Sequence, residues 1–177
     1  TKYGNVDLFR YFKDLTMNYI QSLVLLALLV GAVIAFLGAS ALGQAGAAIF
    51  TVDLISTIFL RELAVMLTAI LLAGRTASAF TAQIGSMKVG EEIDAMRTMG
   101  LDPIEQLVLP RVTALMIVMP MLTFLAMLAG LVGGGLVCWF ALHISPTMFV
   151  TVLRDDTPLT NLWLGLGKAP VFGFMVG

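Results

Sequence analysis

The chain has 177 residues, of which 59% are hydrophobic and only 12% charged, and its mean hydropathy is +0.99. Soluble domains carry about 25% charged residues, so water is the wrong solvent for this chain and a helix bundle in lipid is the expected fold. A net charge of −1 with scattered Lys and Arg residues leaves no basic surface for nucleic acid, and the single cysteine, Cys138, excludes an internal disulfide and reads as a packing residue.

Residues 1–20 read as a helix lying in the membrane interface. Leu8, Tyr11, Phe12, Leu15 and Tyr19 fall on one helical face, with Asp7, Arg10, Lys13 and Asp14 on the others. The first span follows at 22–42, inside a stretch with no charge between Asp14 and Asp53. It matches the roughly 20 apolar residues that a bilayer requires. On it Ala27, Gly31, Ala35 and Ala39 recur every four residues, a smooth face that a second helix can approach closely. The second span and its extension are expected over 53–85, carrying Arg61 and Glu62 within apolar surroundings.

Residues 88–100 read as a short cytoplasmic helix with Val89, Ile93 and Met96 on one face, an acidic first turn, and Gly100 and Pro103 as stop signals. Asp102 is then an N-cap, with Pro103 in the first turn of the helix that leads into the third span. That span, 112–143, has no charge, but contains Pro120, which should kink it, and glycines 130 and 133–135, which permit close packing. Residues 145–160 form an outer loop in which Ser145 and Pro146 start a short helix reaching Leu153. A fourth apolar segment, 162–177, carries Lys168. The chain starts without methionine and stops inside that segment, so a longer protein with at least one further span is expected.

Orientation follows from the basic residues, which concentrate in cytoplasmic loops. Lys2, Arg10 and Lys13 precede the first span, and Arg75, Lys88, Arg97 and Arg111 lie between the second and third. The loop after the third span has only Arg154, beside Asp155 and Asp156. The N-terminus and the central loop are therefore expected in the cytoplasm.

Arg61 and Glu62 need a physical account, because a charge at the centre of a membrane helix costs about 2.5 to 3.5 kcal/mol even on the lenient insertion scale. Sequence neighbours point about 100° apart on an α-helix, so separate partners are expected for the two. With the helix starting near Asp53, Arg61 would lie about 12 Å along it, in the outer half of the span. Lys168 would stand at a similar depth, and an ion pair with Glu62 is the simplest arrangement. Arg61, Glu62 and Lys168 are thus candidates for a polar cluster lining a substrate cavity, against the plainer reading of a buried interhelical bridge.

The central loop is organised as a docking element, offering an apolar stripe and charges to a partner's groove. Phe59-Leu60-Arg61-Glu62-Leu63, Ala73-Gly74-Arg75, Ile84-Gly85-Ser86-Met87-Lys88-Val89, Glu91-Glu92-Ile93-Asp94-Ala95-Met96 and Met99-Gly100-Leu101-Asp102-Pro103 resemble, in order and spacing, the MlaE (YrbE) permease family. Departures from the family pattern are Ala64-Val65, where Gly-Pro is common, and Gln83, where an acidic residue is common.

That resemblance implies a five-span permease of a bacterial inner membrane, working as a homodimer. Its implied partners are a cytoplasmic ABC ATPase, docked on the coupling helix through Glu91, Glu92, Ile93, Asp94, Met96 and Arg97, and a periplasmic MCE-domain protein on the outer face. The cargo would be phospholipid or a similar apolar lipid. ATP would belong to the partner ATPase, since this chain has no Walker-type loop and is expected to hold no cofactor or metal. No catalytic residue is expected either: the only histidine, His143, sits at the end of the third span, and no Gly-x-Ser-x-Gly elbow occurs. The alternative is a secondary transporter or channel using the intramembrane charges as an ion path, although no inverted repeat is visible.

Overall fold

The computed structural model describes residues 2–44, 47, 49–74 and 78–176, with side chains from residue 20 onward. It is a bundle of helices, and among the described residues three helices are long and apolar enough to cross a membrane. Helix α1, Lys2–Gln44, runs without a break from the N-terminal segment into the first span, so the expected interfacial helix and first span are one continuous element. The amphipathic face assigned to residues 8–19 lies outside the described side chains.

The second span, Phe50–Leu72, is built from α2, Phe50–Ile58, a π-helical turn, Phe59–Leu63, and α3, Ala64–Leu72. It starts at Phe50, nearly one turn earlier than expected, with Asp53 in its first turn where the helix dipole favours a carboxylate. Arg75 lies outside the described residues. Helix α4, Ser78–Val89, and the short α5, Glu92–Thr98, follow. A π-helical turn, Ile104–Val108, leads into α6, Leu109–Leu142, which stays helical through Pro120. The loop after α6 contains α7, Pro146–Asp156, and the fourth apolar segment forms α8, Leu159–Val176, starting three residues before the expected 162.

Helix α6 is the spine, with α1, α3 and α8 packed around it. Leu23, Ala27, Gly31, Ala35 and Gly38 form the buried stripe of α1, close to the smooth face expected, with Gly38 buried in place of Ala39. A Cβ on Gly31 would overlap the carbonyl oxygen of Gly130, and one on Gly133 the carbonyl oxygen of Leu28. The backbones of α1 and α6 therefore touch, which is the packing that small residues make possible in a membrane. Around this seam Leu23, Phe59, Leu115, Met119, Leu122 and Met127 fill the core. The outer surface remains apolar: Leu29, Phe36, Ile117, Val132 and Phe140 are all exposed. In water such a surface would aggregate, whereas lipid solvates it.

The end of the bundle around α7 is tied down by polar contacts. His143 takes a left-handed conformation, φ 53°, to end α6, and the Oγ of Ser145 accepts the N–H of Met148 at 3.3 Å, the expected N-cap. At the other end of α7, Ser56 donates to the carbonyl of Asp53, so the 2.7 Å contact between Ser56 and Thr157 is a bond donated by Thr157. It ties α7 to the second span.

Candidate functional site

The intramembrane charges come together around the π-helical turn. The ring of Phe59, fully buried, fills the space left by the missing side chain of Gly130, and Gly165 brings α8 against the carbonyl oxygen of Leu60. One turn beyond Gly165, on the same face of α8, Lys168 donates from Nζ to Oε1 of Glu62 at 2.7 Å. Nε of Arg61 stands 3.5 Å from the same oxygen. The Glu62–Lys168 pair is the arrangement expected.

Two expectations need correction. Arg61 and Glu62 do not have separate partners: they meet each other, because long flexible side chains on a widened turn with i→i+5 bonding can converge where Cβ directions diverge. Nor does Arg61 lie in the outer half of the span. The earlier helix start at Phe50 puts it about 16 Å from that end of the Phe50–Leu72 helix and equally far from the other, so it stands at mid-span.

Arg61, Glu62 and Lys168 are 53%, 50% and 41% exposed at the side chain, so the cluster is open on one side among the described residues. Two cations share one carboxylate, which leaves one positive charge in excess. A charge pair this exposed at mid-span is incompatible with hydrocarbon and requires water, protein or a polar ligand against it. An apolar groove of about 470 Å³ is lined by Val150, Arg154, Thr157 and Leu162 and by Leu60, the chain neighbour of Arg61. Among the described residues no three His, Cys, Asp or Glu side chains converge as a metal site would require.

The excursion between the second and third spans is folded, with a boundary that differs from expectation. Helix α4 continues through Val89, and the chain turns at Gly90 and Glu91 before α5 starts at Glu92. Val89 therefore belongs to the preceding helix, is 88% exposed, and does not share a stripe with Ile93 and Met96, which are the half-buried residues of α5. The break escapes sequence reading because it sits on a non-glycine residue: Glu91 has φ 56°, a left-handed conformation that side chains rarely adopt. The stop is where expected. Gly100, φ 76°, donates to the carbonyl of Arg97, and Leu101 donates to that of Met96 at 2.9 Å, closing α5 in a Schellman motif. Asp102 then accepts the N–H of Ile104 at 2.9 Å. Glu91, Glu92, Asp94 and Arg97 stay exposed, with only a 3.6 Å contact between Asp94 and Arg97 along the helix.

One residue counted in the sequence only as a cytoplasmic charge has a structural position of its own. Arg111 is 5% exposed at the start of α6; its Nη2 donates to Oε1 of Gln83 at 2.7 Å, and its Cζ lies 4.5 Å from the centroid of the Phe80 ring. The signal in the sequence is a guanidinium abutting an uncharged span, which has to be answered by some partner. The partner, 28 positions away on another helix, is visible only in the fold.

Long apolar helices with a charged cluster at mid-span and a folded excursion on one side define a polytopic membrane protein. The chain belongs to the MlaE permease family: residues 8–177 match the family described as Permease MlaE. It is 41% identical over 116 residues to a probable ABC transporter permease protein of Synechocystis, a match covering 66% of this chain and 44% of that protein. A probable ABC transporter permease protein of Rickettsia typhi is 40% identical over 116 residues, 66% of this chain and 45% of the relative. The chloroplastic protein trigalactosyldiacylglycerol 1 of Arabidopsis thaliana is 39% identical over 118 residues, 67% of this chain and 34% of the relative. The matches thus span less than half the length of these curated relatives.

Proposed function

We propose that the chain is the membrane-spanning part of an ABC transporter that moves a glycerolipid, with the charged cluster receiving the lipid headgroup. The observation that carries this reading is the half-exposed, net-positive set Arg61, Glu62 and Lys168 at mid-span. A phosphate or other anionic headgroup is the natural counterpart of the excess cation, and the apolar groove reaching Leu60 offers room for acyl chains. The name of the Arabidopsis relative, which is that of a glycerolipid, supports the same cargo class.

In this reading two copies assemble so that the clusters face a shared cavity instead of hydrocarbon. A separate cytoplasmic ATPase binds and hydrolyses ATP and docks on α5 through Glu91, Glu92, Ile93, Asp94, Met96 and Arg97. An MCE-domain protein meets the outer face and exchanges lipid with the cavity. The chain itself makes and breaks no covalent bonds. Its membrane is a bacterial inner membrane, with the N-terminus and α5 in the cytoplasm.

Docking is tested by Glu91→Lys with Glu92→Lys, which places repulsive charge on the exposed edge of α5. Like charges brought together cost several kcal/mol, so the amount of ATPase retained on purification is expected to fall about tenfold or more. Thermal stability of the membrane part should stay unchanged, because neither side chain is buried. Normal ATPase retention and transport in the double variant would remove α5 from the docking role.

Orientation is tested with single cysteines in a Cys138→Ser background. Asp155→Cys should react with an impermeant thiol reagent in intact cells and Glu92→Cys should react only after lysis. Labelling of position 92 from outside would reverse the topology.

A further inference from the structure

We infer that Arg111 is a positioning residue that clamps the base of the cytoplasmic excursion, so that displacement of α5 is transmitted into α6 instead of being lost in hinging of α4. The inference rests on the proposed docking of an ATPase on α5. Its own evidence is geometric.

Among the described residues Arg111 is the one charged side chain that is buried, and burial of a guanidinium persists only where its donors and its face are both answered. Two contacts of this kind come from α4. Gln83 takes the Nη2 donor at 2.7 Å, and Phe80, one turn earlier on the same face, lies under the guanidinium plane. Phe80 in turn packs against the main core, beneath the span. A planar group held at once by a hydrogen bond and by a ring face has little freedom to swing, unlike an exposed ion pair between flexible side chains.

The position gives this contact its leverage. Helix α4 buries none of its residues fully, so beyond the contact of Phe80 its packing does little to fix it on the bundle. Everything between Gln83 and Arg111, including α5, the Gly100 stop and the turn at Asp102, is a loop whose two ends the clamp joins. Beyond Arg111, α6 runs on past Pro120 to the glycines that touch α1 and Phe59. A push on α5 therefore meets α6 at its first turn, and α6 is the helix against which α1, α3 and α8 all pack.

The test uses the full-length protein in complex with its ATPase, with the variants Gln83→Ala, Arg111→Ala and the pair Gln83→Glu with Arg111→Lys. Spin labels on Gly85→Cys, where an added side chain meets open space, and on the exposed Thr113→Cys report the distance between α4 and α6. Labelled protein is diluted with unlabelled protein and Cys138 is replaced by Ser. The distribution should be narrow in the parent, broad in both alanine variants, and narrow again in the ion-paired variant. ATP hydrolysis and ATPase retention should persist in the alanine variants, while lipid moved per ATP hydrolysed falls about tenfold and recovers in the pair. Should Arg111→Ala fail to fold, Gln83→Ala decides, since it removes the tie from the accessible side and leaves the buried site filled. A Gln83→Ala protein with the parent's distance distribution and the parent's stoichiometry overturns the clamp. A parent complex that hydrolyses ATP without moving lipid overturns the proposed function instead, and the distance distributions still decide the clamp.

Discussion

Gly133→Leu and Gly31→Leu are expected to abolish recovery of monodisperse protein from membranes, whereas Gly43→Leu should be recovered at nearly the parent yield. All three glycines lie in long membrane helices and all three substitutions add the same hydrophobic volume, so lipid solubility does not separate them. Their surroundings do. A Cβ at 133 overlaps the backbone carbonyl of Leu28, one at 31 overlaps that of Gly130, and one at 43 meets nothing within 4 Å. Overpacking a core typically costs about 1 to 3 kcal/mol when side chains can shift. Here the obstacle is main chain, which relieves the overlap only by moving α1 away from α6. That movement strips contacts from Leu23, Ala27 and Ala35 along the whole seam. Without a hydrophobic driving force between helices in lipid, close van der Waals contact is most of what holds them, so the loss approaches the total stability of about 5 to 15 kcal/mol typical of a domain. Fluorescence-detected size exclusion of the three variants reads the outcome. Equal profiles for the variants at 43 and 133 would show that the two backbones do not touch.

Features that depend on a residue's own chemistry are legible in the sequence alone. Hydropathy locates the three long spans, and the recurrence of small residues marks the face of α1 that meets α6, because both are periodic and local. The caps at Ser145 and Asp102 and the stop at Gly100 are legible for the same reason. What escapes is set by the backbone or by distant partners. Nothing in Phe59-Leu60-Arg61-Glu62-Leu63 announces a π-helical turn: it contains neither Gly nor Pro, and the turn goes with Phe59 packed into the gap at Gly130, seventy-one positions on. The start of α5 is hidden because its break falls on Glu91 rather than on a glycine. Of the charges, the Glu62–Lys168 pair can be inferred from cost alone, since each needs a partner at comparable depth. The Arg61–Glu62 contact cannot, because it depends on that turn.

Replacing Glu62 by Gln and Lys168 by Met together is expected to leave the complex folded and its ATPase bound, while lipid bound per complex and lipid transported fall about tenfold or more. The argument turns on what each single change leaves behind. Glu62→Gln removes the carboxylate that two cations share, so Arg61 and Lys168 are left facing each other at mid-span. Lys168→Met leaves Arg61 and Glu62 as the remaining pair. Either single variant can lose function through an uncompensated charge alone, which breaking a pair costs whether or not substrate is involved. The double variant removes the Glu62–Lys168 part of that ambiguity: the introduced amide is neutral, the introduced thioether chain is apolar and of similar length, and Arg61 is the one charge left in the cluster. If the pair were only a bridge between the second span and α8, the double-mutant cycle would show a coupling energy of about 0.5 to 3 kcal/mol in stability and a transporter of normal activity. The proposed headgroup site gives the other outcome, because all three side chains are half exposed among the described residues and within reach of a ligand. Losing Lys168 removes one of two cations available to an anionic headgroup, and losing Glu62 leaves Arg61 without its anchor. The surviving guanidinium is then expected to bind headgroups in a less ordered way. Lipid extracted from the purified complex and quantified by mass spectrometry, together with transport into acceptor vesicles, gives the two readouts. Normal values of both in the double variant would assign the cluster to architecture and place the headgroup site elsewhere.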